Sequence, residues 1–81
     1  MINHQHYTYQ VTWSKEDQEF IGLCAEFPSL SHLDEEPTSA LAGILELVRD
    51  IVAEMELNGE KPPLPLSDRE FREKSQIQAT S

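Results

Sequence analysis

Residues 22–48 read "GLCAEFPSLSHLDEEPTSALAGILELV", and the spacing of their apolar side chains changes partway along. A change from a period of two to one of about 3.6 marks the passage from sheet to helix. On the early side, Ile21, Leu23, Ala25 and Phe27 fall on one face of an extended run. Phe20, Gly22, Cys24 and Glu26 fall on the other. Pro28 ends the run, because proline has no N–H to give to a ladder. "LSHL" at 30–33 reads as a short further strand, and Asp34-Glu35-Glu36-Pro37 breaks it. Beyond the break, Leu41, Ile44, Leu45, Val48, Ile51, Val52 and Met55 recur at spacings of three and four, with Ala40 and Leu47 widening the stripe. That is one face of an amphipathic helix.

Upstream, "YTYQVTW" at 7–13 places Tyr7, Tyr9, Val11 and Trp13 on one face and Thr8, Gln10 and Thr12 on the other. Its aromatic and β-branched content favours a strand. "SKEDQ" at 14–18 has hairpin length, so the three strands are expected to form an antiparallel meander. The helix has two possible starts. Thr38 can cap it through its hydroxyl, or Glu36 can cap it with Pro37 in the first helical position. Asn58-Gly59 supplies the stop, glycine being suited to a left-handed cap. The helix is then about 20 residues, or roughly 30 Å. The prolines of "EKPPLPL" allow only an extended exit. The expected fold class is α+β: a three-stranded antiparallel sheet packed on one long α-helix, over residues 1–66. Residues 67–81 form a polar tail, expected to be loose, with Phe71 and Ile77 as its large apolar residues.

The chain has 81 residues and a net charge of −9, enough for one small domain with a modest core. Association is a common remedy at this size, and both sheet edges would be open. The charge is uneven. Residues 34–60 hold eight acids against one base, residues 1–33 four acids against one base, and residues 61–81 three acids against four bases. An acidic centre repels nucleic acid, whose binding needs phosphate neutralisation, and attracts basic proteins. No apolar stretch reaches the roughly 18 residues of a membrane span. The N-terminus lacks the pattern of a secretory signal. The lone Cys24 excludes an internal disulfide and fits a reducing, cytoplasmic setting.

No residue set reads as chemistry. His4 and His6 could face one ligand, but no third donor stands at a useful spacing. His32 reads as a surface or packing residue and Cys24 as a buried thiol without a neighbouring base. Ser29, Ser31 and Ser39 stand in no nucleophile turn, and Gly22, Gly43 and Gly59 make no phosphate loop. Asp34, Glu35 and Glu36 are consecutive and cannot converge on one metal. Neither catalysis nor a cofactor or metal is expected.

"VTWSKEDQEFIGLCAEFPSLSHL", the Thr-led helix "TSALAGILELVRDIV" and the exit "NGEKPPLP" together resemble the HicB family of antitoxins, over about residues 7–66. Thr38, Ala40 and Leu41 stand at the helix start, and Gly59, Pro63 and Pro65 at the exit. Two features depart from that pattern: Glu36 replaces the glycine of the family's Gly-x-Thr start, and Ser39 and Ala40 replace the usual acids. The resemblance implies a degraded ribonuclease-H-like fold without catalytic acids. It also implies a small basic RNA-cleaving HicA-like toxin as partner, and a homo-oligomer that is at least a dimer. Many relatives add a C-terminal DNA-binding module; no direct nucleic-acid binding is expected here. The charge pattern adds a docking surface for the basic partner: Asp34, Glu35 and Glu36 before the helix, and Glu46, Asp50 and Glu54 along it. The alternative is a solitary homo-oligomeric regulatory or scaffold domain with no toxin. A nuclease would need acids spaced to converge on divalent metal, and no such set is visible.

Overall fold

The computed structural model describes residues 2–68. A short 3₁₀ turn, His4–His6, is followed by β1 (Tyr9–Ser14), β2 (Glu19–Cys24), β3 (Ser31–Asp34) and α1 (Pro37–Leu57). The strands form one antiparallel sheet in the order β1-β2-β3, and α1 lies across it. The α+β class expected from the periodicity is therefore the one observed.

Register fixes the two faces. Val11, Gly22 and His32 stand opposite one another across the three strands, and so do Thr12, Ile21 and Leu33. Gly22 identifies the helix side: a Cβ there would collide with the Ala40 carbonyl oxygen and with Ile44. Because strand residues alternate, Tyr9, Val11, Trp13, Phe20, Cys24, His32 and Asp34 share that side. The core forms where Tyr7 and Cys24 meet Ile44, Val48 and Val52 of α1, with Ile2, Tyr9, Phe27, Leu30 and Leu47 packed around them. Tyr7 meets Phe27 edge-on at a centroid distance of 5.4 Å. Trp13 packs on Phe20 at 5.0 Å but stays 49% exposed at the end of the sheet.

Local chemistry sets the boundaries. In the β1–β2 turn, the Ser14 hydroxyl donates to Asp17 Oδ2 (2.9 Å). Gln18 takes a left-handed backbone with φ 55°. The helix uses the second of its two possible starts. Glu36 is the N-cap and Pro37 stands in the first turn, so Thr38 is already helical. Glu36 gives no side-chain cap; its own N–H donates to Asp34 Oδ1 (3.3 Å). At the far end Asn58 is the C-cap and Gly59 adopts φ 77°, as its position in the sequence requires.

Four expectations need correction. The third strand runs Ser31–Asp34 rather than over 30–33, so Asp34 pairs with Phe20 instead of breaking the ladder. The first strand begins at Tyr9 rather than Tyr7, because Asn3 Oδ1 accepts the Gln5 N–H (2.9 Å) and winds the preceding residues into the 3₁₀ turn. The second strand ends at Cys24 rather than running to Pro28. One further ladder bond, Ala25 N–H to the Thr8 carbonyl, is made before Phe27 N–H turns back to the Cys24 carbonyl (3.1 Å). The apolar stripe of α1 is also narrower than its spacing suggests: Ala40, Ile44, Val48 and Val52 are buried, whereas Leu41 is 38% exposed. Of the expected tail, everything beyond Asp68, including Phe71 and Ile77, lies outside the described residues.

Candidate functional site

Glu46, Asp50 and Glu54 are exposed and stand four residues apart on α1, which puts them in one row. The row runs along the flank of the helix nearest β3. Glu46 and Asp50 line a shallow depression of about 250 Å³ together with His32, Gly43 and Leu47. Gly43 makes this approach possible, since any Cβ there would run into the His32 imidazole. Asp34 closes β3 on the same side, with its Oδ2 3.7 Å from His32 Nε2. Glu35 and Glu36 follow in the exposed turn. The fold thus links Asp34 to the row through His32, which lies 3.7 Å from Asp34 and shares the depression with Glu46 and Asp50; Glu54 continues the row one turn further along the helix.

The flank is partly compensated. Arg49 Nη2 lies 3.7 Å from Glu46 Oε1 and 3.3 Å from Asp50 Oδ1. Exposed pairs of this kind add little to stability, and they leave the local balance strongly negative.

A second cluster, at the corner where β1 starts, was not legible in the sequence. Glu26 there accepts the Thr8 N–H on Oε1 (2.9 Å), and the Thr8 hydroxyl (3.1 Å) and the Leu66 N–H (2.8 Å) on Oε2. Close by, the Tyr7 hydroxyl donates to the Pro63 carbonyl (2.8 Å). The proline-rich exit is therefore pinned back onto the start of the chain, and Pro65 is buried. Burial opposes ionisation of Glu26, but the N–H groups of Leu66 and Thr8 outweigh it and hold the carboxyl below its ordinary value. Burial, with Glu26 beside it, pushes the Tyr7 hydroxyl up to about 12.

This cluster is structural rather than reactive. The Glu26 oxygens are already occupied by donors. The Cys24 thiol, 3.5 Å from Glu26 Oε1, is pushed up to about 11, chiefly by burial. At neutral pH it stays a thiol, a weak nucleophile. Among the described residues no group of three or more His, Cys, Asp or Glu side chains is placed to hold a metal ion. His4 and His6 lie within the 3₁₀ turn. No helix among the described residues is long and apolar enough to cross a membrane.

No protein-family model matches the chain, and neither a curated protein nor a solved structure does.

Proposed function

We propose that the chain is an antitoxin-type protein-binding module that neutralises a small basic RNA-cleaving toxin of the HicA kind by docking it on the acidic flank. The observation that carries this reading is the row Glu46, Asp50 and Glu54, which faces solvent along the helix while Ala40, Ile44, Val48 and Val52 are buried against the sheet. The resemblance of residues 7–66 to HicB antitoxins supports the choice of partner. In this reading the module works by occlusion: opposite surface potentials speed encounter and select the partner, while less polar neighbours hold it.

Charge reversal of Glu46, Asp50 and Glu54 together to lysine tests the surface. The three side chains are solvent-facing, so the variant keeps its circular dichroism. Its binding to a HicA-type toxin is expected to weaken about tenfold or more, mainly through slower association, and to lose its salt dependence. Unchanged affinity and salt slope in a folded variant would place the docking surface elsewhere.

A second reading, a solitary homo-oligomeric scaffold or regulatory domain, is favoured by a different observation: the uncovered face of the sheet.

A further inference from the structure

The acidic flank also holds a titratable group of the other kind. His32 leaves β3 on the helix side, and its imidazole lines the depression with Gly43, Glu46, Leu47 and Asp50. The fold makes room for it there. A Cβ at Gly43 would collide with the ring, so the bare helix backbone is what admits the imidazole. Across the sheet His32 stands opposite Gly22, which adds neither bulk nor charge. The side chain is half-buried by this fit, yet it opens into the depression. The charged groups that face it come from two elements. From β3, Asp34 brings its Oδ2 to 3.7 Å from Nε2, too long for a hydrogen bond. From α1 come Glu46 and Asp50, with Arg49 in contact with both. The helix-side residues of β2 nearest to it, Phe20 and Gly22, carry no charge. Three acids against one base leave a balance of −2 around a neutral imidazole, and protonation halves it.

We propose that His32 makes docking on the acidic flank depend on pH: a basic partner binds while the imidazole is neutral and is loosened once it is protonated. The inference rests on the reading of the flank as a docking surface. Histidine is the side chain whose charge ordinarily changes between about pH 5 and 8. Here the added charge arises inside the surface that attracts the partner, and its sign is the partner's own. A cationic partner therefore selects the neutral ring. Because such coupling is reciprocal, affinity is full above the imidazole's range and falls as pH drops through it. Carboxyl groups in general titrate near pH 4, so the response in this range belongs to histidine. Position restricts it to His32. His4 and His6 lie in the 3₁₀ turn, next to Ile2, which lines a separate hollow with Glu56 and Gly59 at the far end of α1. Along the helix that end is roughly 20 Å from Gly43, well past the Debye length of about 8 Å. One exposed charge has a modest effect, about threefold in affinity. It gives the module a graded release of its partner on acidification, with no change of fold.

Titration calorimetry of the full chain with a capped deca-lysine peptide, at fixed ionic strength between about pH 8 and 5, tests the proposal. The lysines keep their charge throughout this range. Wild-type affinity is expected to fall about threefold toward the acid end. His32→Gln and His32→Asn should each bind with the same affinity at both ends. A His4→Gln/His6→Gln protein should respond as the wild type does. All should keep the wild-type circular dichroism. The Glu46→Lys/Asp50→Lys/Glu54→Lys protein separates this inference from the reading beneath it, since it should bind the peptide more weakly at every pH. A triple variant that binds like the wild type would overturn the flank as a docking surface, and this inference with it. With the triple variant impaired, a wild type of constant affinity would overturn the inference alone. So would His32→Gln and His32→Asn proteins that weaken toward acid as the wild type does, or a pH response lost in the His4→Gln/His6→Gln protein.

Discussion

The two sides of β2 are built from the same kinds of residue and have different fates. On the helix side Gly22 removes its side chain so that the Ala40 backbone can come into contact, and Cys24, Ile44 and Val48 are sealed from solvent. On the far side Ile21 and Leu23 are only half covered and Leu33 is exposed. Apolar character alone therefore does not make a core. What makes it is the match of a missing Cβ to a close helix backbone. The far side offers width without such a fit, which suits it to a reversible contact.

That contrast is open to measurement, and Gly22→Ala should give the largest effect. The added Cβ meets the Ala40 backbone, which cannot move without shifting the helix. A loss of about 3 kcal/mol is expected, at the upper end for overpacking, and a melting temperature lower by roughly 12–24 °C. A variant within a few degrees of the wild type would mean that helix and sheet adjust freely and that the two sides differ less than their geometry suggests.

Glu26→Gln comes next. It removes the charge from bonds that the carboxylate accepts from Thr8 and Leu66, for a loss of about 2 kcal/mol by chemical denaturation at neutral pH. The folded carboxyl is held below its ordinary value of 4.5. Its contribution is therefore complete above that value and disappears as pH falls through the folded value. The gap between wild type and variant should close in the same acid range. A gap that persists at the acid limit would assign the effect to shape rather than charge.

On the open side, Ile21→Ala is expected to cost about 1 kcal/mol in dilute solution, less than a fully buried isoleucine would. The cost should grow with protein concentration if the face is covered by a second copy. Equal cost at all concentrations would separate the residue from any interface.

The smallest effect is expected at Gly43. An added Cβ runs into the His32 imidazole, but this is the end of a half-exposed side chain that can swing outward. Alanine also favours the helix by about 1 kcal/mol, so the net change in thermal stability should stay within about 0.5 kcal/mol. A loss as large as that at Gly22 would show that the His32 position is rigid.

The features legible in the sequence were those with short-range causes. Alternation in "YTYQVTW" and the three-four spacing of Ile44, Val48 and Val52 are local consequences of backbone period. The stop at Asn58-Gly59 is a local demand of backbone conformation, met by φ 77° at Gly59. The choice between Glu36 and Thr38 as N-cap stayed open because both satisfy local rules, and the position of Pro37 settled it. Glu26 was not legible. It reads as one more surface acid, and its meaning depends on Thr8 and Leu66, 18 and 40 residues away. Asn3 did carry a signal, since a side chain that accepts an N–H two residues on is a common way to start a turn. Of the acidic set, Glu35, Glu36, Glu46, Asp50 and Glu54 are exposed, whereas Asp34 is half-buried at the end of β3. The sequence did not reveal that His32 would stand between Asp34 and the depression lined by Glu46 and Asp50, because that depends on β3 closing the sheet under the helix.

The pinning of the exit to the start of the chain has a consequence in time. The hairpins and the helix close short loops, but the bond from Tyr7 to Pro63 spans 56 residues. Contacts of such separation are expensive in loop entropy and tend to form after the transition state. Interactions absent from the transition state govern how fast a native protein opens rather than how fast it forms. Tyr7→Phe should therefore leave the refolding limb of a chevron plot in place and raise the unfolding limb. The corner acts as a latch on the lifetime of the folded chain.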